Sequence, residues 1–208
     1  MRKICLIVLL LLTFSSVGFA ESISFNGFNG FNENQPNLPK AKVVGVFLEA
    51  PITYVNNEKI RAMLPEKVRA IFPEYKFEII PFDTTELAVR TYREDNRMVF
   101  NQYYSQPLNR KDIQQIGKQI KADYALFINI SNGIPQVSSG LLSVSFKTTV
   151  TCDVRLLDIA TGEYILSKQI IKDGKSTAVY AGVPSFDKAY NEAIEKALKE
   201  LTIDTSSL

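Results

Sequence analysis

The sequence predicts an α/β protein in which helices and strands are layered around a mixed sheet of about five strands. Three observations support this class. Short apolar runs alternate with amphipathic helical segments between residues 42 and 131. A long segment of strict apolar and polar alternation follows, as in an antiparallel strand with one buried face. The last segment has clear helical periodicity. The predicted order is β-α-β-α-β-β-β-α, with the helices mainly on one face of the sheet.

The first twenty residues have the parts of a secretory signal peptide. Arg2 and Lys3 form a basic start, residues 6–12 are an unbroken apolar run, and residues 18–20 suit a cleavage site. The apolar run is shorter than the roughly 20 residues that a membrane-spanning helix needs. Cys5 precedes this run, where no lipoprotein cysteine lies. We therefore expect a periplasmic or secreted protein with no lipid anchor and no integral membrane segment after cleavage; the alternative is an uncleaved N-terminal anchor.

The charges of the remaining chain are balanced. Removing the signal peptide takes two basic residues from the 24 Lys and Arg and none from the 22 Asp and Glu, so 22 of each sign remain. A balanced chain lacks the basic surface that binds nucleic acid and the polybasic patch that holds proteins on anionic membranes. The chain has no histidine. This excludes imidazole acid/base catalysis, histidine-activated nucleophiles and the commonest transition-metal ligand.

Residues 21–41 are predicted to be a flexible leader. The unit Phe-Asn-Gly occurs twice in tandem, beginning at Phe25 and Phe28, and Phe31 begins a third copy. The stretch has neither helical nor strand periodicity and ends near two prolines. Three interpretations remain open. The leader is a disordered spacer, or its phenylalanines contact a partner, or it adds an edge strand to a partner.

A single folded domain is predicted over residues 42–203, with a C-terminal tail at 204–208. Its first strand is the valine-rich run that begins at Lys42. Asn56 or Asn57 caps the helix that follows. The apolar stripe of that helix comprises Ile60, Met63, Leu64, Val68 and Ile71.

The next elements extend the alternation of strands and helices. Pro65 lies inside the first helical stripe, so we expect a kink or a restart there. A second strand at 76–82 follows, and the helix between the two strands predicts a parallel crossover. Asp83 and Glu86 resemble a capping box for a further helical stretch. Asn109 then caps a helix whose isoleucines share one face: Ile113, Ile116 and Ile120. A third strand follows at residues 123–131.

Strict alternation predicts a long strand from Val144 to Leu156. Its even positions carry the side chains of the buried face: Val144, Phe146, Thr148, Val150, Cys152, Val154 and Leu156. Cys152 is the one cysteine left after signal cleavage, which excludes an internal disulfide. Its place on the apolar face favours a small buried hydrophobe over the alternative, a reactive thiol.

The segment after this strand predicts a hairpin turn and not a catalytic pair of acids. Asp158 and Glu163 flank Thr161 and Gly162. The Asp158 carboxylate accepts hydrogen bonds from amides just ahead of it in such turns, and glycine adopts a positive φ at little cost. Catalytic acid pairs lie in clefts where burial separates their pKa values, whereas a hairpin tip is exposed. The next strand is predicted at Tyr164–Ile171.

The last element is predicted to be a helix capped by Ser185 that packs on the sheet, the alternative being a partner-binding helix. Its apolar positions recur at helical spacing: Phe186, Tyr190, Ala193, Ile194, Ala197, Leu198 and Leu201.

Five apolar residues are candidate contacts with a partner: Phe25, Phe28 and Phe31 of the leader, and Leu141 and Leu142. The leucine pair lies between the third strand and the long strand. Exposed apolar pairs mark contact sites. The alternative is that these two leucines begin the next strand.

The chain has none of the short motifs that mark catalysis or cofactor binding. It lacks a phosphate-binding loop, a Gly-x-Gly-x-x-Gly after a strand, a Cys-x-x-Cys pair and a calcium loop. We therefore expect no catalytic residue, no metal site, no cofactor and no enzyme activity. Two alternatives remain. One is a small-molecule or nucleotide binding module at the carboxyl ends of the first strands, near residues 49–53. The other is a hydrolase that uses carboxylates alone.

Two segments resemble motifs of bacterial envelope proteins with the CsgG-like fold, also seen in the N-terminal domain of TolB and in lipoprotein activators of peptidoglycan synthases. IGKQIKADYALFINI and VRLLDIATGEYILS match that pattern at Gly117, Ala122, Asp123, Tyr124, Leu156, Asp158, Thr161, Gly162 and Glu163. The likeness covers roughly residues 42–202. The lipoprotein cysteine of many relatives and the hairpins of the curli pore are missing. The resemblance implies a non-catalytic protein that binds an envelope protein or polymer, and it leaves homo-oligomer formation open.

Overall fold

A computed structural model describes residues 40–51, 57–101, 104–179 and 182–208. The predicted signal peptide, the leader with Phe25, Phe28 and Phe31, and Asn56 lie outside the described residues. Within them the elements are β1 (Lys42–Glu49), α1 (Glu58–Ile71), β2 (Phe77–Ile79), α2 (Phe82–Asp95), α3 (Arg110–Gln119), β3 (Tyr124–Asn132), β4 (Gln136–Ser139), β5 (Ser143–Asp158), β6 (Tyr164–Val179) and α4 (Phe186–Glu200). The α/β class is confirmed. The short strand β4 adds to the predicted order, and the two helical stretches predicted before the third strand are the separate helices α2 and α3.

The six strands of the described residues form one mixed sheet. β1 lies between β2 and β3 and is parallel to both, which confirms the predicted crossover. β3 pairs in antiparallel fashion with the second half of β5, and β4 pairs with its first half. β6 pairs with β5 along almost its whole length. Since a strand has only two edges, β3 and β4 must share the other edge of β5.

Helices cover both faces of the sheet around β1 and β3. On one face, α1 and α4 pack on a core that includes Val44, Val46, Leu126, Ile128, Val154, Leu156, Tyr190 and Ile194. On the other, α2 and α3 pack on a second core that includes Phe47, Tyr92, Ile113, Ile116, Ala125, Phe127 and Leu157. The prediction placed the helices mainly on one face. The difference arises because β1 and β3 are apolar at consecutive positions, so both of their faces become buried.

Helix α1 runs without interruption through Pro65. Ile60 and Val68 lie on either side of the proline and are 2% and 1% exposed. Their packing stabilises the helix on both sides of the proline against the roughly 3 kcal/mol that an interior proline costs. The predicted restart is therefore wrong, and the predicted kink stays a prediction. The predicted cap at Asn57 is confirmed, because its side chain accepts a hydrogen bond from the Lys59 amide.

The start of α2 differs from its prediction. The helix begins at Phe82 with no side-chain cap hydrogen bond. Asp83 and Glu86 instead pair with Arg61 of α1, at 3.5 and 2.8 Å. The predicted capping box is wrong because the Pro81 carbonyl accepts the Thr84 and Thr85 amides, so Asp83 lies inside the first turn of the helix.

The caps of α3 and α4 are confirmed. Asn109 and Asp112 form a full capping box, and the Ser185 side chain accepts a hydrogen bond from the Lys188 amide. Helix α4 packs so closely on β6 that a Cβ atom at Gly174 would overlap the backbone of Ala189. Glycine is required at this crossing by space and not by backbone conformation.

The outer edge of β6 is partly covered by α4. The Lys175 amide donates a hydrogen bond of 2.8 Å to the Glu192 carboxylate, and the Lys196 ammonium donates one of 3.1 Å to the Asp173 carbonyl. Glu192 and Lys196 also pair with each other at 2.7 Å. Side chains of α4 therefore satisfy backbone groups that an edge strand otherwise leaves open. Among the described helices, none has the length and apolar character needed to cross a membrane.

Candidate functional site

The two acids between β5 and β6 belong to a turn. The Asp158 carboxylate accepts a hydrogen bond of 2.9 Å from the Thr161 amide, and Gly162 has a φ of +74°. The amide of Gly162 donates to the Asp158 carbonyl at 2.8 Å. These bonds confirm the predicted turn chemistry.

One side of this turn is docked on α3, while Ala160, Thr161 and Glu163 are exposed, as expected of a hairpin tip. The Gln114 side chain donates a hydrogen bond of 2.9 Å to the Ile159 carbonyl. The Ile159 side chain is 3% exposed and lies where a Cβ atom at Gly117 would be. Gly117 and Gly162, both part of the motifs that resemble the CsgG-like pattern, therefore join α3 to the hairpin.

Cys152 is a buried residue of the core and not a reactive thiol. Its side chain is 1% exposed, and burial raises the pKa of the thiol to about 12. Since the thiolate is the reactive form, the side chain is inert at neutral pH. The predicted structural role is confirmed. In the part of the chain that the structure describes, no three Cys, Asp or Glu side chains are grouped to hold a metal ion.

Leu141 and Leu142 lie in the turn between β4 and β5. The Gly140 amide donates a hydrogen bond of 2.7 Å to the Ser143 carbonyl, which leaves the two leucines at the apex. Leu141 is 99% exposed and Leu142 is 64% exposed. β5 begins only at Ser143, so the leucines precede the strand.

Further exposed apolar side chains lie near this turn. The strand register places Val179, the last residue of β6, opposite Ser143, and Val137 of β4 opposite Phe146. The Gly182 amide donates to the Val179 carbonyl, which keeps Val183 close to the end of β6. We use the name "hairpin end" for five exposed apolar residues: Val137, Leu141, Leu142, Val179 and Val183.

The strands behind the hairpin end are joined by polar side chains. The Lys147 ammonium and the Thr149 hydroxyl both bind the Asp173 carboxylate, at 2.8 and 2.7 Å. The Ser138 and Ser145 hydroxyls are 2.7 Å apart. These cross-strand pairs tie β4, β5 and β6 into one frame that carries the apolar side chains at its tip.

A cavity of about 610 Å³ lies at the carboxyl ends of β1 and β3. Glu49 lines it from β1 and Asn129 from β3, within the region predicted for ligand binding at the ends of the first strands. Thr85 and Arg93 line it from α2. Residues 52–53 of the predicted region lie outside the described residues.

A buried ion pair forms one wall of the cavity. Arg93 donates hydrogen bonds to the Glu49 carboxylate and to the Gln106 carbonyl, and its guanidinium lies 5.4 Å from the centre of the Phe100 ring. The side chains of Arg93 and Glu49 are only 8% and 16% exposed. Burial raises the pKa of Glu49 above its ordinary value, and the charge of Arg93 opposes that rise.

The cavity does not provide the free acid pair that a carboxylate hydrolase needs. Glu49 and Glu86 are the two acids in its described wall. Glu49 is bound by Arg93, and Glu86 is bound by Arg61. Both carboxylates are therefore held as acceptors by guanidinium groups.

The sequence reasoning missed Thr85 and Arg93. A weak signal was present, because Thr85, Val89 and Arg93 recur at intervals of four residues and so share one face of α2. A buried arginine on such a face needs an acidic partner, and Glu49 is 44 residues away in sequence. No local spacing connects these two residues.

Comparisons with known proteins identify similar folds only. No protein-family model matches the chain, and no curated protein matches it. The fold is similar to the LpoB C-terminal domain from Salmonella enterica, at 14% identity over 63% of this chain and 82% of that one, with a TM-score of 0.33. It is also similar to the hypothetical protein CT253 from Chlamydia trachomatis (15% identity, 77% and 92% of the chains, TM-score 0.38). A third similar structure is the lipoprotein GNA1162 from Neisseria meningitidis, at 16% identity over 76% of this chain and 95% of that one, with a TM-score of 0.35. These three do not include a CsgG or TolB protein, so that resemblance stays a prediction.

Proposed function

We propose that this protein is an exported, non-catalytic protein of the bacterial cell envelope that binds another envelope component through the hairpin end. The observation that carries the proposal is the exposure of five apolar side chains near the turn between β4 and β5, with Leu141 at 99% and Val183 at 86%. Soluble proteins seldom expose such a cluster unless a partner covers it. The leader phenylalanines Phe25, Phe28 and Phe31 are proposed as a second contact.

The chemistry of the hairpin end favours a protein partner. Leu141 and Leu142 form the apex of a turn, and an apolar apex fits an apolar groove in another protein. The frame behind it carries charges of both signs, as the pair of Lys147 and Asp173 shows. An anionic membrane selects for basic side chains, and a polysaccharide offers hydroxyls in place of an apolar groove.

Two features support the absence of catalysis in this proposal. The one thiol of the described chain is buried, and the two acids of the cavity wall are held by arginines. The remaining acids named in the sequence analysis, Asp158 and Glu163, belong to a turn.

Site-specific cross-linking tests the proposed contact. A photoreactive amino acid at Leu142 is expected to link the protein to one protein partner in intact envelopes. The double variant Leu141→Ser/Leu142→Ser should then weaken binding of that purified partner by at least tenfold, since two buried leucines are lost. Leu87→Ser is the matched control, because Leu87 on α2 is also 64% exposed. Equal binding by the double variant and the control would contradict the proposal.

A further inference from the structure

The position of the cavity suits ligand binding. β1 leads to α1 on one face of the sheet, whereas α2 and α3 cover the opposite face. Divergence of this kind next to the carboxyl ends of parallel strands opens a crevice, and ligands of open α/β sheets bind in such crevices. The volume of about 610 Å³ lies within the range of roughly 300–1,000 Å³ seen for small-molecule sites.

The wall of the cavity contains buried polar atoms without partners. The Thr85 hydroxyl, the Arg93 Nε and the Ser105 hydroxyl are buried and make no hydrogen bond within the described chain. Thr85 is 1% exposed and Arg93 is 6% exposed. Buried polar groups are almost always paired, so these three groups have hydrogen-bonding capacity left for a further polar partner. Thr85, Arg93 and Ser105 all line the cavity, so these groups lie beside the space that a ligand would fill.

The charges of the wall favour an uncharged ligand. Each charged side chain that lines the cavity already has a partner of opposite sign: Glu49 with Arg93, Glu86 with Arg61, and Arg90 with Glu94. An anion would compete with Glu49 for Arg93, and a cation would compete with Arg93 for Glu49. A phosphate group of a nucleotide would likewise have to displace Glu49 in order to bind Arg93, the buried arginine of the wall.

Aromatic rings at the mouth of the cavity supply the remaining feature. Phe100 and Tyr104 line the cavity and are 47% and 54% exposed. An exposed ring offers an apolar face to a second ring of similar size. A sugar matches these features. It has an apolar ring face, and its hydroxyls are neutral groups that both donate and accept hydrogen bonds.

We propose that this cavity binds an uncharged sugar unit. Its ring packs on Phe100 or Tyr104, and its hydroxyls bond with Thr85, Ser105 and Arg93. This site is separate from the hairpin end and does not depend on the function proposed above.

Titration of the purified full-length chain tests this proposal. The probes are glucose, galactose and N-acetylglucosamine, with glucose 6-phosphate and glucosamine as charged counterparts, and binding is followed by NMR shifts. At least one neutral sugar is expected to bind saturably and more tightly than its charged counterpart. No saturable binding of any neutral sugar, or tighter binding of the phosphate, would overturn the proposal.

Variants locate the binding. Thr85→Val keeps the shape of the side chain and removes its hydroxyl, so sugar affinity should fall about fivefold or more. Thr84→Val is the matched control, because Thr84 is an exposed neighbour. Tyr104→Ala changes an exposed residue and serves as a second test if Thr85→Val fails to fold. Equal affinities for the control and both site variants would overturn the assignment. Leu141→Ser/Leu142→Ser should bind the sugar like the wild type, which separates this test from that of the hairpin end.

Discussion

Replacing Arg93 by methionine should destabilise the protein strongly at neutral pH. The change removes the guanidinium but keeps much of the apolar volume, so the Glu49 carboxylate stays buried without its counter-charge. Breaking a buried pair from one side costs about 3–5 kcal/mol. That magnitude applies here because the two side chains are only 8% and 16% exposed. It is a large part of the roughly 5–15 kcal/mol by which whole domains are stable.

The cost of Arg93→Met should depend on pH. The pKa of Glu49 is raised in the folded protein, and removing Arg93 raises it further, since Arg93 lowers it. A group with a raised folded pKa stabilises fully below its unfolded pKa, and this contribution is lost as pH rises through the folded pKa. The penalty should therefore be largest near about pH 7 and shrink as the solution is acidified through the pKa of Glu49.

Urea unfolding followed by circular dichroism measures this penalty. Arg90→Met is the matched control, because Arg90 lies on the same helix in an ion pair whose side chains are 66% and 63% exposed. Such a pair contributes at most about 1 kcal/mol. The double variant Glu49→Gln/Arg93→Met should regain much of the lost stability and lose the pH dependence. The argument fails if Arg93→Met costs no more than Arg90→Met, or if its cost is the same at both ends of the pH range.

Two further predictions concern packing. Gly174→Ala should lower the free energy of unfolding by about 1–3 kcal/mol, because the new Cβ overlaps the Ala189 backbone, whereas Gly140→Ala has room and should cost little. Urea melts of both variants measure the difference, and equal stabilities would contradict the close packing of α4. Cys152 should resist alkylation at about pH 8 in the folded protein and react in urea, because burial raises its pKa to about 12. Rapid labelling of the native protein, read by mass spectrometry, would refute its burial.

The sequence predicted best those elements whose burial is one-sided. β5 alternates because one face packs on α4 and the other is partly wet, and α4 shows its stripe for the same reason. The caps at Asn109 and Ser185 are local hydrogen bonds within a few residues, so their residue types mark them directly.

Features set by distant contacts were missed. Whether Pro65 breaks α1 depends on the core that holds both halves of the helix. The ion pair of Glu49 and Arg93 joins residues 44 apart and has no local pattern. The leucine pair was recognised because two adjacent apolar residues in a turn are unusual, and this signal is visible in the local sequence without any knowledge of distant contacts.

The contact of α4 with the outer edge of β6 limits how the sheet can grow. A seventh strand added at Asp173 to Lys175 would need the carbonyl and amide that Lys196 and Glu192 already occupy. At the edge of the sheet formed by β2, only three residues are available to pair with an added strand. Helix α4 thus prevents another chain from pairing with the edge of β6 at this position. A homo-oligomer built by pairing with β6 at Asp173 to Lys175 would have to displace the side chains of α4 first.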